Sequence, residues 1–358
     1  MQNVDEMFPT DYQDARRRFA ALTGQAGFTL TSYVHPARRG PAGEELACDV
    51  AYRGPTNPAS ILLVSSGTHG VEGFCGSGCQ AALLTDGILD SMPSDAGIVL
   101  VHALNPYGFA WLRRTNEDNV DLNRNFVDHS HARPNPAYDE IHRWLVPEDW
   151  DGPGRVRAEA EITRYIETHG MRAFQAAFST GQYTHADGLF YGGNRSAWSN
   201  QTWRHLLRQH CGLAPRVIVF DLHTGLGPSG VGEAICVADE AEYLRAKEIL
   251  GADVTWTGSG ASVSAQVGGS CVHGAHEELG GDRLTMIGLE YGTHPIAVTL
   301  EALRAETWLS AYGDVDSPQG MQIKQALRDA FYVDTPEWKR AVVDRLLGVV
   351  ERVRSSLS

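Results

Sequence analysis

Short apolar runs alternate with longer amphipathic stretches along the chain, and each kind of run predicts a different element. Apolar runs at residues 61–65, 98–103, 217–222 and 286–291 are typical of strands in a sheet that is covered on both faces. Two earlier runs, at 28–34 and 47–52, alternate in polarity and predict two more strands, separated by a turn rich in Pro and Gly at 35–43. Helices are predicted over residues 11–22, 76–85, 156–177, 197–210, 295–312, 318–332 and 335–355.

The alternation of strands and helices predicts an α/β fold with a mixed, largely parallel, twisted sheet and helices on both faces. There is no internal repeat and no convincing linker, so we expect one domain with helical additions over residues 1–358. Residues 128–153 are rich in Pro, His and Asp and predict irregular structure. Residues 258–281 are rich in Gly and Ser and predict a mobile loop.

Composition and charge narrow the class of protein. The 358 residues carry a net charge of −14 and a pI of about 5.4, so a nucleic-acid partner, which needs a concentrated basic face, is not expected. The amino terminus lacks the basic and apolar segments of a secretory signal, and no stretch approaches the ~18 apolar residues of a membrane span. We therefore expect a cytoplasmic protein with no membrane partner, whose six scattered cysteines are reduced thiols. The oligomeric state stays open.

Side chains that bind metal ions follow the predicted strands. His69 and Glu72 lie three residues apart on the Gly-rich turn after the run 61–65, and His223 follows the run 217–222. Ligands of such sheets bind at the carboxyl ends of the strands, so we expect these side chains to share a site. Two imidazoles and a carboxylate suit a catalytic Zn²⁺ with one position open for water. The sequence therefore predicts one Zn²⁺ per chain, held by His69, Glu72 and His223.

Other residues near these positions have more than one interpretation. Glu290, at the end of the last apolar run, is the candidate general base, because a carboxylate beside zinc can pass a proton from the attacking water to the leaving nitrogen. Asp221 either orients the His223 imidazole or caps a turn. Cys75 and Cys79 are either small packing residues on one helix face or part of a second metal site.

The order of these motifs resembles a known family. Arg113 and Arg114 precede the string Asp121-Leu-Asn-Arg-Asn-Phe126, and both lie between Glu72 and His223. The order His-x-x-Glu, Arg, Asp-Leu-Asn-Arg-Asn-Phe, His, Glu resembles the zinc carboxypeptidase (M14-like) family over roughly residues 45–300. It is most similar to a bacterial, DUF2817-type branch of metallopeptidase-like proteins, with the succinylglutamate desuccinylases and aspartoacylases as cousins. The resemblance implies a zinc carboxypeptidase-like fold and places the family's catalytic Glu on Glu290.

The resemblance also implies roles for polar residues around the metal. Asn123 and Arg124 match the pair that holds the free carboxylate of the substrate, a task that suits the planar fork of Arg. An Arg near the metal stabilises negative charge on the carbonyl oxygen during amide hydrolysis. Arg113 and Arg114 both fit this second role, and the deacylase cousins favour Arg114.

Some expected contacts have no matching motif. The peptidases close a Tyr over the substrate, and Tyr183, Tyr191 and Tyr291 are candidates for it here. The glycine-flanked segment that contains Tyr183 and His185 predicts a substrate-facing loop. Asp121 and Asn125 are expected to order their loop rather than to contact a ligand.

Three functional hypotheses follow. The leading one is a zinc-dependent hydrolase that cleaves an amide (peptide) bond next to a free carboxylate, as a carboxypeptidase or an amidase that releases an amino acid. The alternative is a deacylase of N-acyl amino acids that uses the same chemistry on a smaller substrate. An open cleft would admit a small peptide, whereas a lid, for which residues 255–281 are the candidate, would admit only an acyl amino acid. A non-catalytic binding protein on the same fold is disfavoured because every expected position is filled.

Overall fold

The computed structural model describes residues 4–131, 133–260, 262–264 and 267–357. Residues 1–3, and residues 261, 265 and 266 of the predicted mobile loop, lie outside the described residues. The described strands are β1 (Thr29–Arg39), β2 (Glu45–Arg53), β3 (Ser60–Ser65), β4 (Ala96–His102), β5 (Val217–Gly225), β6 (Gly232–Cys236), β7 (Val254–Trp256) and β8 (Leu284–Gly292). The described α-helices are α1 (Tyr12–Gln25), α2 (Gly73–Asp86), α3 (Pro106–Ala110), α4 (Pro136–Leu145), α5 (Pro153–His169), α6 (Met171–Ser179), α7 (Trp198–Cys211), α8 (Glu240–Leu250), α9 (Cys271–Leu279), α10 (Ile296–Tyr312), α11 (Pro318–Phe331) and α12 (Pro336–Arg354).

The eight described strands form one mixed sheet in the order β1-β2-β4-β3-β5-β8-β6-β7. The central strands β4, β3, β5 and β8 are parallel to one another, and antiparallel pairs join β2 to one side and β6 to the other. The carboxyl ends of β3, β5 and β8 therefore meet at one edge of the sheet, where ligands of such folds bind. The predicted α/β fold, with a mixed and mostly parallel sheet, is confirmed. Its extent as one domain over residues 1–358 stays a prediction.

Apolar cores cover both faces of the sheet. Leu62 and Val64 of β3 pack in a cluster with residues of α1, α2 and α12. Ile61 and Leu63 face the opposite side and pack with residues of α7, including the fully buried Trp203. Since both faces of β3 are buried, its sequence shows no polar alternation, as expected for a central parallel strand.

Three predictions about local structure were wrong in part. Residues 128–153 contain α4, whose start is fixed by Pro136 in the first turn and by Asn135, which accepts a hydrogen bond from the Tyr138 N–H. The single helix predicted over 156–177 is two helices, α5 and α6, separated by Gly170 with φ of 86°. The predicted mobile loop includes α9, which packs against α7. The elements β6, α8 and β7 were not predicted.

The described helices include none with the length and apolarity that crossing a membrane requires.

Candidate active site

A pocket lies at the carboxyl ends of β3, β5 and β8. Its polar wall includes His69 and Glu72, from the turn after β3, His223 of β5 and Glu290 of β8. His223 and Glu290 are register partners on adjacent parallel strands, so their side chains leave the sheet on the same face. The structure thus brings together four residues that are up to 221 positions apart in the sequence.

The turn after β3 aims two donors at one point. His69 has an extended backbone and is followed by a 3₁₀ turn, Gly70–Glu72, that returns the Glu72 side chain to the same side. The turn packs directly on α3, since a Cβ at Gly70 would lie 2.0 Å from the Gly108 backbone. Glycine at this position therefore permits the close approach that sets the direction of both side chains.

The donor atoms of the three candidate ligands converge. His69 Nδ1 lies 2.9 Å from Glu72 Oε1, and His223 Nδ1 lies 3.0 Å from Glu72 Oε2. One ligand atom from each residue lies within 4.8 Å of the other two. Burial raises the pKa of the Glu72 carboxyl, but the two imidazoles outweigh that effect and hold its pKa below the usual range. The group is therefore ionised, as a metal ligand must be.

Carboxylates hold the outer nitrogens of both imidazoles. His223 Nε2 lies 2.6 Å from Asp221 Oδ2, and His69 Nε2 lies 3.3 Å from Asp121 Oδ1. Asp221 is fixed in turn by the Ser65 hydroxyl, which donates to Oδ1 at 2.7 Å. At His223 this carboxylate orients the ring and leaves Nδ1 as the nitrogen that faces a metal. Of the two roles open to Asp221, the structure shows the orienting one.

The chemistry of this donor set fits zinc. Two imidazole nitrogens and a carboxylate form one of the ligand sets of catalytic zinc sites, which keep a further position open. His69, Glu72 and His223 therefore form a candidate zinc site. Its ligand atoms are of the types that zinc accepts, and carboxylates lie beside the outer imidazole nitrogens, as is usual in zinc sites.

Glu290 has the properties of a proton carrier. Its Oε1 accepts a hydrogen bond from the Leu226 N–H at 2.9 Å. Burial, followed by the negative charge of Glu72, raises the pKa of Glu290 to about 7. A carboxyl group with a pKa near neutrality can both accept and return a proton.

Arg114 reaches the candidate metal site. Its Nη1 donates to Glu72 Oε1 at 3.3 Å, its Nε donates to Asp121 Oδ2 at 3.0 Å, and its Nη2 lies 2.9 Å from His69 Nε2. Burial lowers the pKa of Arg114, but Asp121 and Glu72 outweigh it and raise the pKa. The guanidinium is thus a fixed positive charge beside the candidate ligands.

Arg113, the other candidate, points away from the pocket. Its Nε donates to Glu306 Oε1 at 2.8 Å, and Lys324 also donates to this carboxylate, at 2.7 Å. Arg113 is absent from the pocket wall. The Arg113 side chain thus belongs to a buried ion pair that links its loop to α10 and α11, outside the wall of the pocket.

Asn123 and Arg124 both line the pocket. Arg124 is only 5% exposed, and its guanidinium donates to the backbone oxygens of Ser179 and Asn123. Among the described residues, the only carboxylate within 4.0 Å is Asp121, at 3.9 Å. Arg124 is thus a buried cation with a distant counter-ion. Asn123 Oδ1 accepts from the Cys271 N–H at 2.9 Å.

The other predicted substrate-binding residues lie outside the pocket wall. The Tyr183 hydroxyl donates to the Arg124 backbone oxygen at 2.7 Å, so it supports Arg124 from behind. His185 Nε2 lies 3.0 Å from Asp139 Oδ1, on the far side of the same loop. Tyr191 and Tyr291, the remaining candidates for a closing Tyr, do not line the pocket either. The segment predicted to face the substrate does reach the pocket, but through Phe190 rather than through Tyr183 or His185.

Sequence reasoning missed three residues of the site. Asp121 was expected only to order its loop, which it does by accepting from the Asn123 N–H, but it also bridges His69 and Arg114. Phe190, with φ of 52°, places its ring 5.4 Å from the guanidinium carbons of both Arg114 and Arg124. The Cys271 thiol donates to Asp221 Oδ2 at 3.2 Å. No motif in the sequence marked Phe190 or Cys271 as a residue of the site.

The rest of the pocket wall is mostly apolar. Residues from the segment that follows β7 form part of it: Ser264, Val267, Ser270, Cys271 and Val272. Apolar side chains complete the wall. They come from α6 and the loop after it, from the region of β5, β6 and β8, and from α10 and α11: Phe178, Phe190, Leu226, Ile235, Val237, Met286, Ile296, Leu300, Leu303 and Phe331.

Comparison with solved structures defines the class of fold. Bovine thrombin-activatable fibrinolysis inhibitor, solved with a tick carboxypeptidase inhibitor, superposes with a TM-score of 0.51 at 11% identity, covering 98% of each chain. Carboxypeptidase A from Helicoverpa armigera gives a TM-score of 0.49 at 11% identity, over 90% of this chain and 74% of that one. A candidate succinylglutamate desuccinylase/aspartoacylase from Shewanella frigidimarina gives 0.39 at 20% identity, over 80% and 72%. The fold is thus carboxypeptidase-like, and the first of these likenesses carries that conclusion.

The chain belongs to the DUF2817 family, described as a protein of unknown function, whose family model matches residues 8–345. This match confirms the resemblance drawn from the motif order. No curated protein matches the sequence.

Proposed function

We propose that the protein is a zinc-dependent hydrolase that cleaves an amide bond next to a free carboxylate. The observation that carries the proposal is the convergence in one pocket of a His-Glu-His donor set, a carboxyl group with a raised pKa, and two arginines, Arg114 and Arg124. When bound by His69, Glu72 and His223, zinc supplies Lewis-acid chemistry that polarises an amide carbonyl and makes water acidic near neutral pH.

Glu290 is the proposed general base and acid. Its carboxylate takes the proton of the attacking water, and the resulting carboxylic acid then returns that proton to the leaving nitrogen. The Leu226 N–H holds Oε1, and so the other oxygen, Oε2, is the one available for this transfer. Because Glu290 must be ionised to begin the cycle, turnover should fall on the acidic side of its pKa.

Arg114 is proposed to stabilise the negative charge that develops on the carbonyl oxygen. Its contacts with Asp121, Glu72 and His69 fix the guanidinium before any substrate binds. A charge fixed in advance avoids the reorganisation that water would require, which is the main source of this kind of stabilisation.

Arg124 and Asn123 are proposed to bind the free carboxylate of the substrate. A guanidinium has five N–H donors, and three of them already bind the Ser179 and Asn123 backbone oxygens. One donor remains on each Nη atom, which matches the two oxygens of a carboxylate. The buried charge, with Asp121 no closer than 3.9 Å, favours an anionic partner.

Within this proposal, a deacylase of N-acyl amino acids is the second candidate beside a carboxypeptidase, and the pocket-lining residues of the segment that follows β7 support it. Ser264, Val267 and Val272 place this segment in the pocket wall, which limits the room for a long peptide. The mostly apolar wall would suit an apolar side chain or acyl group.

A paired substrate panel tests the proposal and separates the candidates. N-acyl amino acids and blocked peptides of two to five residues, each as the free acid, are offered to the zinc-loaded protein and to Glu290→Gln. Hydrolysis by the first protein alone supports the hydrolase, and a kcat/KM that falls with peptide length supports the deacylase. Turnover that is equal in both proteins would refute the proposal.

A further inference from the structure

A second group of metal-binding side chains lies outside the pocket, between α4 and the loop after α6. It consists of His142 on α4 and of His185 and Asp187 on the loop. One nitrogen of each imidazole and one oxygen of Asp187 lie within 4.8 Å of one another. The two rings stack with centroids 3.9 Å apart, and His142 Nε2 lies 3.5 Å from Asp187 Oδ1. None of the three lines the active-site pocket.

His142 is a buried polar side chain that lacks a hydrogen bond. It is 6% exposed, and its Nδ1 has no hydrogen-bond partner in the described part of the chain. Its Nε2 faces Asp187 at a distance that is long for a hydrogen bond. Nε2 is therefore the nitrogen that faces the proposed site, and its only contact with a described carboxylate is this long one, whereas Nδ1 lies on the side of Gly188 and Tyr138.

The other two side chains are already held in place. Asp139, one turn before His142 on α4, lies 3.0 Å from His185 Nε2. As in the central site, a carboxylate on one imidazole nitrogen leaves the other nitrogen available to a metal. Asp187 is held by the Tyr312 hydroxyl of α10, which donates to Oδ2 at 2.6 Å and leaves Oδ1 toward His142.

We propose that His142, His185 and Asp187 form a second site for a divalent transition-metal ion of the zinc type. Two imidazoles and one carboxylate suit such ions and do not suit Ca²⁺ or Mg²⁺, which prefer oxygen ligands. Asp139 and Tyr312 act as the outer partners of the ligands.

The role of this site is structural. A metal ion here joins α4 to the loop that carries Tyr183 and Phe190. Both residues contact Arg124: the Tyr183 hydroxyl donates to its backbone oxygen, and the Phe190 ring packs against its guanidinium. The site therefore stabilises the wall of the pocket without touching a substrate. It does not depend on the proposed hydrolase function.

Zinc stoichiometry tests this proposal. Full-length proteins are stripped with a chelator, dialysed against buffered free zinc and measured by mass spectrometry for bound metal. We expect about two Zn²⁺ in the wild type and about one in each of His185→Gln, Asp187→Asn and His69→Ala. His131→Gln is the matched control, because His131 pairs with Asp128 in an exposed two-residue contact and should leave the count unchanged.

The outcomes are separable from those of the central site. If the second site does not exist, the wild type holds about one Zn²⁺, and His185→Gln and Asp187→Asn keep it while His69→Ala loses it. If only the second site binds zinc, His185→Gln loses the single ion and His69→Ala keeps it. Circular dichroism identifies a variant that fails to fold, and zinc-dependent protection of residues 182–191 from hydrogen exchange in His69→Ala then decides the question. No protection there would overturn the proposal.

Discussion

Replacing Arg124 separates the recognition of the substrate carboxylate from the rest of the chemistry. In the structure, two N–H donors of Arg124 remain for a ligand after its three bonds to backbone oxygens. Removing one partner of a buried charge pair costs roughly 2–5 kcal/mol. At about 1.4 kcal/mol per factor of ten, Arg124→Ala should lower kcat/KM for a free-acid substrate by about 30-fold to 5,000-fold.

The size of the loss in Arg124→Lys follows from geometry. Lysine keeps the positive charge but offers it from one nitrogen, so it cannot reproduce the paired donors. Losing one charge-assisted hydrogen bond costs about 1.5–3 kcal/mol, which corresponds to a loss of about 10-fold to 150-fold in kcat/KM. Arg124→Lys should thus fall between the wild type and Arg124→Ala.

The assay compares each substrate as its free acid and as its primary amide. In the wild type the acid should be strongly preferred, whereas in Arg124→Ala the two forms should have similar kcat/KM. Arg304→Lys is the matched control, because Arg304 is also 5% exposed and donates to backbone oxygens, those of Leu145 and Trp144, but lies outside the pocket. If Arg124→Ala keeps the wild-type preference for the acid, Arg124 does not bind the carboxylate.

Three further predictions concern the base, the outer partner and the arginine outside the pocket wall. Glu290→Gln should keep its zinc and lose several orders of magnitude in kcat; a kcat within about tenfold of the wild type would exclude Glu290 as the base. The pKa of Glu290 is raised to about 7, and a nearby dication would lower it. The acidic limb of the pH profile of kcat/KM should therefore have its midpoint between pH 4.5 and 7. This limb should be absent in Glu290→Gln. Asp221→Asn should weaken zinc binding by about 10-fold to 100-fold in a chelator competition, and unchanged affinity would show that Asp221 does not orient His223. Arg113→Met should lower the free energy of unfolding in urea by roughly 2–3 kcal/mol, since Glu306 loses one of its two partners. The kcat/KM of the folded variant should be nearly unchanged. A large loss of kcat/KM in the folded variant would show that Arg113 takes part in catalysis.

The positions of the central site residues followed from the sequence because topology restricts them. Parallel strands place their carboxyl ends at one edge, so His69, His223 and Glu290 had to lie near one another once β3, β5 and β8 were assigned. The apolar runs made that assignment secure, since strands buried on both faces have few polar residues. Adjacent residues on an irregular loop have no such restriction, and so the choice between Arg113 and Arg114 needed the structure.

The residues whose positions were predicted wrongly lie on loops, where no helical or strand periodicity fixes the direction of a side chain. Tyr183 and His185 sit on a glycine-flanked loop, and the sequence did not show which side of that loop faces the pocket. The start of α4 was readable in principle from Asn135 and Pro136, but the density of Pro, His and Asp around it suggested irregular structure. The short strands β6 and β7 have five and three residues, too few for a clear alternation of polarity.

Zinc titration of the metal-free protein is the measurement that tests the central claim most directly. The chelator-stripped wild type and His223→Ala are titrated with Zn²⁺ while hydrolysis of the best free-acid substrate is followed. The stripped wild type should be inactive and should regain its activity as zinc is added, whereas His223→Ala should stay inactive at the same free zinc concentrations. A stripped wild type that retains full activity, or a His223→Ala variant that zinc restores equally well, would contradict the assignment of His69, Glu72 and His223 as the catalytic metal site.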